Sequence, residues 1–248
     1  MGFRGSVLGG AWIVLSPLLL LGLYFFVFGS VFGGSFQYSD ANGAIQEATG
    51  VDYALGIFLG LSVLNLFSGI LAGSPGLVVG NPNFVKKVVF PLEVLPVALV
   101  GQLGFNFCVN FGLCLLGVVF IGPGAGWAWM WLPMVLVPLL LMVLGLAWFL
   151  SAVGVYLRDT AQLAPFLGMV LLYSSAVFYS VSMIPADFWL FLKWNPVLHG
   201  VNQLRGILLW GLEPSWKPLA YVWATGISGF LAGNWVFERL RNDFADLL

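Results

Sequence analysis

The sequence NPNFVKKVVFPLE, residues 81–93, separates two uncharged apolar runs, residues 54–80 and 94–121. Each run exceeds the ~20 residues that a helix needs to cross the hydrocarbon core of a bilayer. The stretch between them holds Lys86 and Lys87, the only lysines before residue 190, and prolines near both ends. A polar segment that is aromatic and basic is typical of a docking surface. We call it the 81–93 stretch.

The composition of the whole chain is that of an integral membrane protein. Hydrophobic residues make up 60% and charged residues 8% of the sequence, and the mean hydropathy is +1.01. Soluble domains are about one quarter charged. The formal charge is −1, and the nine Lys and Arg residues are scattered, which excludes a nucleic-acid partner because phosphate binding needs clustered cations.

Six apolar runs are long enough to span the membrane. They predict an all-α integral membrane fold with six transmembrane helices, in a single domain over residues 1–248. The runs cover residues 7–32, 54–80, 94–121, 132–157, 161–181 and 217–240.

Between the fifth and sixth spans lie two further apolar pieces, residues 186–193 and 197–211, each too short to cross. They predict a re-entrant helical hairpin whose turn, at Trp194, Asn195 and Pro196, dips into the outer mouth of a pathway. Non-helical backbone at that depth requires cover by protein or water. Two helices lying flat at the interface are the alternative.

The sequence predicts no catalytic role for its single histidine or its two cysteines. His199, the only histidine, lies in the hairpin with Arg205, and without a nearby carboxylate or serine it is interpreted as an interfacial hydrogen-bonding residue and not a catalytic base. Cys108 and Cys114 lie in one apolar run on different helix faces, and we interpret them as packing residues.

The distribution of cations predicts the orientation, because Lys and Arg are enriched on the cytoplasmic side. The loop between the first two spans contains Asp40, Glu47 and Asp52 and no cation. Both termini are therefore expected in the cytoplasm. This arrangement places Arg4, Lys86, Lys87, Arg158, Arg239 and Arg241 inside, and Lys193, Arg205 and Lys217 outside.

The span interiors hold no charged residue, and none lies between Glu93 and Arg158. Ion-coupled transporters and membrane enzymes normally need an acid, base or metal ligand within the membrane. No GxxxxGK[ST] phosphate loop is present either. We therefore expect no catalytic residue, metal site or bound cofactor in this chain, and any active work must draw its energy from another polypeptide.

Neutral polar and aromatic residues are the remaining candidates for a pathway. Gln102, Asn106 and Asn110 recur every four residues on one face of the third span. Equally, such amides can simply form hydrogen bonds between helices, and the aromatic residues can pack. Gly229 and Gly233 form a GxxxG helix contact motif in the sixth span. The full set of pathway-lining candidates is Tyr24, Phe26, Asn65, Gln102, Asn106, Asn110, Tyr173, Phe178 and Tyr179.

Five segments together resemble the membrane subunit of bacterial polysaccharide-exporting ABC transporters, which include O-antigen, capsule and teichoic-acid exporters. The likeness runs nearly end to end, and the 81–93 block together with YLRD at 156–159 is specific within ABC exporter permeases. The segments are FRGSVLGGAWIVLSPLLLLGLYFFVFG (3–29), NPNFVKKVVFPLEVLPV (81–97), YLRDTAQLAPFLGMVLLYSSAVFYSVSMIP (156–185), KWNPVLHGVNQLRGILLWG (193–211) and ERLRNDFADLL (238–248).

The resemblance implies a homodimer of six-span subunits in the bacterial inner membrane. It implies two copies of a separate soluble subunit that carries the phosphate loop and binds ATP and Mg²⁺. It also implies that the substrate is a lipid-linked glycan. Members usually begin with an amphipathic cytoplasmic helix, whereas only residues 1–4 precede GSVLG (5–9) here. ATPase coupling is then assigned to Asn81, Pro82, Phe84, Lys86, Lys87, Pro91, Glu93, Arg158 and Asp159.

Other classes of function remain open from the residues alone. A channel or structural membrane subunit fits the polar stripes but does not explain the 81–93 stretch. A membrane-embedded glycan-processing enzyme would need intramembrane His, Arg or Asp side chains and larger outer loops.

Overall fold

The computed structural model describes residues 9–31, 33–39, 44–86, 91–122 and 126–247. Arg4, Asp40 and Lys87 therefore lie outside the described residues, as do residues 88–90. The helices are α1 (Trp12–Tyr24), α2 (Val51–Gly73), α3 (Pro82–Lys86), α4 (Val94–Phe120), α5 (Leu132–Tyr156), α6 (Thr160–Ser174), α7 (Ala186–Leu192), α8 (Pro196–Leu209), α9 (Trp216–Leu240) and α10 (Phe244–Leu247).

Four helices in the described part of the chain are long and apolar enough to cross a membrane. They are Trp12–Val31, in which α1 continues into a π-helical turn, and Val51–Gly73, Val94–Phe120 and Trp127–Tyr156. The predicted sixth span corresponds to α9, which has 25 residues but is less apolar. The predicted fifth span corresponds to α6, which has only 15 residues.

Two predicted spans end earlier than their apolar runs. The run 54–80 stops being helical at Gly73, because Pro75 has no N–H to donate and the backbone turns over residues 74–80. The run 161–181 leaves the helix after Ser174. Ala176 there has φ 51°, in the left-handed region. Apolar composition gives no indication of either interruption.

The all-α prediction missed a β-hairpin. Strands β1 (Ser35–Ser39) and β2 (Ile45–Thr49) pair antiparallel, with Phe36 opposite Ala48. The ring of Phe36 is fully buried, 4.6 Å from the ring of Tyr53 and 6.4 Å from that of Trp210. The hairpin thus packs on the start of α2 and the end of α8, and we call this the hairpin end of the molecule.

Helix α2 is the centre of the main core, and α5 packs most extensively with α9. Glycines allow the α5 and α9 backbones to touch. A Cβ on Gly233 would lie 2.0 Å from the carbonyl oxygen of Gly145, and one on Gly226 2.5 Å from that of Pro138. The predicted small-residue contact in the sixth span is therefore a contact with α5.

A second, smaller core lies at the opposite end, which we call the carboxyl-terminal end. Phe244 of α10 and Phe237 of α9 are fully buried, with ring centroids 5.7 Å apart. This cluster also contains Val78, Trp148, Ala152 and Val155. It joins the turn after α2 to the last turns of α5 and α9.

Candidate functional site

The 81–93 stretch begins as a short helix and is tied back to the chain before it. Pro82 opens α3, where its missing N–H costs nothing. The side-chain amide of Asn81 donates to the Leu77 carbonyl at 2.9 Å. Phe84 is 38% exposed on α3. The side chain of Lys86 lies outside the described part, and α3 is described up to Lys86.

The far end of the stretch is attached to α5 and α9. The Trp148 indole N–H donates to the Glu93 carbonyl at 3.1 Å. The carboxylate of Glu93 lies 3.4 Å from Nη1 of Arg241. Both side chains of this ion pair are partly exposed, so the pair contributes only about 0–1 kcal/mol. The buried indole bond is therefore the firmer attachment.

Arg158 and Asp159 lie between α5 and α6, where both are exposed. They follow Tyr156, whose hydroxyl donates to the Asp243 carboxylate at 3.0 Å. The structure thus brings Glu93, Arg158 and Asp159 to the carboxyl-terminal end. Pro91, directly before the turn that leads into α4, is exposed.

The amide candidates of α2 and α4 share a groove of about 310 Å³ with α1. Asn65, Asn106 and Asn110 line it together with Ser16 and Ser62. Ser62 donates to its own helix at the Phe58 carbonyl, 2.7 Å away. The three amides form no hydrogen bond within the described part of the chain. The groove therefore has unused hydrogen-bonding capacity in the middle of three apolar helices, whereas Gln102 is exposed outside it.

The aromatic candidates do not converge on this groove. Tyr24 lines a recess that adjoins it. Phe178 stacks on Phe28, with ring centroids 5.4 Å apart, and Phe26 is 61% exposed. Tyr173 and Tyr179 line a separate apolar cavity of about 690 Å³ between α6 and α7, and the Tyr179 hydroxyl donates to the Tyr173 carbonyl.

The two predicted hairpin pieces are the helices α7 and α8. Asn195 accepts from the N–H groups of Val197 and Leu198 as the N-cap of α8. Its amide donates to the hydroxyls of Ser174 and Ser175, at 2.9 and 3.1 Å.

The turn between α7 and α8 borders a cavity, and Trp194 in this turn is 66% exposed. Asn195 and Pro196 line a cavity of about 490 Å³ with Gly145 and Gly229, which are near the middles of α5 and α9.

His199 makes one hydrogen bond and two aromatic contacts. Its Nε2 lies 2.8 Å from the Lys193 carbonyl, and its ring meets those of Trp189 and Tyr221 edge-on. Tyr221 also donates to the Trp194 carbonyl at 2.7 Å. These contacts join the α7–α8 turn to α9.

Arg205 does not lie in a loop, so the orientation prediction was wrong to count it among the cations outside the membrane. It is 1% exposed, and its guanidinium donates to the carbonyls of Gly56, Ala176 and Val177. Sequence reasoning also missed Gly60, which makes room for Arg205 on α2, and Gly56, which makes room for the Phe36 ring. The only signal in the sequence is their four-residue spacing in GIFLG.

Comparison with known proteins agrees with this architecture. Residues 3–209 match the family model described as ABC-2 type transporter. The chain is 23% identical to the O-antigen export system permease protein RfbA of Klebsiella pneumoniae, over 99% of this chain and 90% of that protein. It is 25% identical to the protein of that name in Myxococcus xanthus, over 98% and 89%.

A third relative is the polysialic acid transport protein KpsM of Escherichia coli, 26% identical over 87% of this chain and 79% of that protein. The family model covers most of the chain. It includes the 81–93 stretch, the helices α7 and α8, and the groove lined by Asn65, Asn106 and Asn110, which we call the amide groove. This chain belongs to the ABC-2 type transporter membrane family.

Proposed function

We propose that this chain is the permease subunit of an ATP-driven exporter that moves a lipid-linked polysaccharide across the bacterial inner membrane. Family membership supports transport but leaves the cargo open. The observation that carries the choice of cargo is similarity to O-antigen export permeases over nearly the whole chain and 90% of their length. The related polysialic acid transport protein has the same class of cargo.

The energy comes from a separate soluble subunit that binds ATP and Mg²⁺. The sequence has no phosphate loop of its own. The complex contains two permease subunits, because a groove of about 310 Å³ in one subunit does not form a tunnel across the membrane for a sugar chain and homo-oligomers most often form two-fold dimers.

Both termini of this subunit face the cytoplasm, and six segments cross the membrane. Arg158, Arg239 and Arg241 lie towards the carboxyl-terminal end, whereas the hairpin end has Glu47 and Asp52. This asymmetry supports the orientation, and a buried Arg205 makes the outer side poorer in cations. α7 and α8 form the re-entrant hairpin, since each is too short to cross.

The 81–93 stretch is where the ATPase acts on the membrane helices. Phe84 is exposed on a helix that Pro82 starts. The stretch is attached through Glu93 to Trp148 and Arg241, in α5 and directly after α9. A displacement of the stretch by the ATPase therefore reaches two long helices directly.

The amide groove contacts the glycan on its way through the membrane. Unpaired amides at membrane depth are costly unless a polar partner satisfies them. Asn65, Asn106 and Asn110 have this unused capacity, and the aromatic residue Trp12 also lines the groove. Sugar hydroxyls and C–H faces match both features.

The test measures ATP-dependent movement of the lipid-linked glycan in vesicles that contain the permease and its co-purifying ATPase. We expect transport to require both proteins, and the permease alone to hydrolyse no ATP. Asn106→Leu with Asn110→Leu should lower the transport rate. Asn234→Leu replaces an amide in α9 outside the groove and is the matched control.

Transport of the glycan without this chain would disprove the exporter role. Normal transport by the correctly inserted double variant would leave that role intact and would remove the groove from the pathway. The two outcomes therefore test separate parts of the proposal.

A further inference from the structure

Arg205 is a fully buried cation without an acidic partner among the described residues. A charge removed from solvent is stable only when it is paired or fully hydrogen-bonded. The Arg205 Nε donates to the Gly56 carbonyl at 3.0 Å, Nη1 to that of Ala176 at 2.7 Å, and Nη2 to that of Val177 at 2.6 Å. Its Cζ also lies 4.2 Å from the centroid of the Phe36 ring.

Side chains satisfy three consecutive backbone carbonyls after the end of α6. Arg205 donates to the first two, those of Ala176 and Val177. The hydroxyl of Tyr53 donates to the third, that of Phe178, at 2.8 Å. In an uninterrupted helix these carbonyls would accept from N–H groups four residues further on. Arg205 and Tyr53 therefore replace the donors that the interruption removes.

The first turns of α2 are shaped around the guanidinium. A Cβ on Gly60 would lie 2.9 Å from Nη2 of Arg205, and a Cβ on Gly56 would lie 2.7 Å from the Phe36 ring. Gly56 also supplies the third accepting carbonyl. Gly60 thus makes room for the Arg205 side chain and Gly56 for the Phe36 ring, on a helix that is otherwise closely packed.

We propose that Arg205 is a positioning residue that keeps α6 interrupted after Ser174 and holds the backbone of residues 176–178 against α2. The run 161–181 is uncharged and mostly apolar, so composition favours continuation of the helix. In a lipid environment, unsatisfied carbonyls are relieved most simply by forming intrahelical hydrogen bonds. The Arg205 donors remove that driving force.

The interruption also determines where the following residues lie. Gln37 of β1 donates its backbone N–H to the Ser180 hydroxyl at 2.6 Å, so the segment and the β-hairpin are attached to each other. Arg205 therefore links α2, α8, the end of α6 and the hairpin in one unit. This role concerns the fold of the hairpin end, and it does not depend on which cargo the protein carries.

The experiment measures amide hydrogen exchange in the full chain, purified with its ATPase in lipid nanodiscs. Arg205→Met keeps the length and apolar stem but removes the donors. Continuation of α6 would form new hydrogen bonds from the N–H groups of Ser180 and Val181. Their exchange should slow about fivefold or more, because each bond must open before exchange occurs.

Arg205→Lys keeps the charge but lacks the planar fork, so we expect a smaller change in the same direction. Lys217→Met removes an exposed cation and should leave the exchange of Ser180 and Val181 unchanged. If Arg205→Met does not assemble, Arg205→Lys decides the question. Wild-type or faster exchange at Ser180 and Val181 in the deciding variant would overturn the proposal.

Discussion

At the scale of single residues, Gly229 and Gly233 share a motif but have different surroundings. A Cβ on Gly233 would lie 2.0 Å from the Gly145 carbonyl oxygen, whereas a Cβ on Gly229 would meet no atom within 4 Å. Backbone atoms cannot move aside as a flexible side chain can. Only Gly233 is therefore required for the close approach of α5 and α9 at these two positions.

This difference predicts opposite effects of the same substitution. Gly233→Ala should destabilise the protein by about 1–3 kcal/mol, because the overpacked helices must separate. Gly229→Ala should be neutral or stabilising by up to about 1 kcal/mol, because alanine is the better helix former. Thermal unfolding of both variants in one detergent measures the two effects. Equal destabilisation would contradict the described α5–α9 contact.

At the scale of elements, the 81–93 stretch combines an exposed aromatic side chain with fixed ends. Asn81 is bonded to the Leu77 carbonyl and the Glu93 carbonyl to Trp148 of α5, so both ends of the stretch are attached to neighbouring elements. Phe84 lies between these two attachments on α3. Its position suits an anchor for a partner protein, with nearby lysines that orient the encounter.

We therefore expect Phe84→Ala to weaken binding of the ATPase by about 1–3 kcal/mol, tenfold or more in Kd, as for an interface hot spot. Phe120→Ala is the matched control. Phe120 is 79% exposed at the carboxyl end of α4, whereas the 81–93 stretch leads into the amino end of this helix. Binding is measured with the permease in nanodiscs. Unchanged affinity of the correctly inserted Phe84 variant would exclude Phe84 from the interface.

At the scale of the whole molecule, the described cations are more numerous at the carboxyl-terminal end, where the acidic residues Glu93 and Asp159 also lie. Glu47 and Asp52 lie at the hairpin end, and Arg158 and Arg241 lie at the carboxyl-terminal end. Arg205 is buried and bonded to carbonyls, so it does not offset this asymmetry. The positive-inside rule counts cations only, so this distribution favours cytoplasmic placement of the carboxyl-terminal end.

Cysteine labelling in intact cells tests this orientation. In a background without Cys108 and Cys114, a membrane-impermeant thiol reagent should label Ser39→Cys directly. It should label Val85→Cys only after the membrane is permeabilised, because the 81–93 stretch is expected in the cytoplasm. The reverse pattern would invert the topology.

The sequence by itself determined the membrane class, the positions of most helices and the family resemblance. Uncharged runs of membrane-spanning length have few alternatives to a helix, because lipid offers no hydrogen bonds to the backbone. For the same reason, the short pieces around Trp194 and Pro196 could be recognised as a pair of helices, α7 and α8. Of the nine pathway candidates, Asn65, Asn106 and Asn110 lie in one groove.

Only the tertiary structure decided where the run 161–181 stops being helical and which polar groups satisfy its carbonyls. The end of α6 at Ser174 depends on Arg205, which lies 31 residues further along the chain, and on Tyr53, which lies in α2. The β-hairpin is likewise supported by the distant rings of Tyr53 and Trp210 around Phe36. Local composition does not predict such donors and rings, because their positions follow from the packing of segments far apart in sequence.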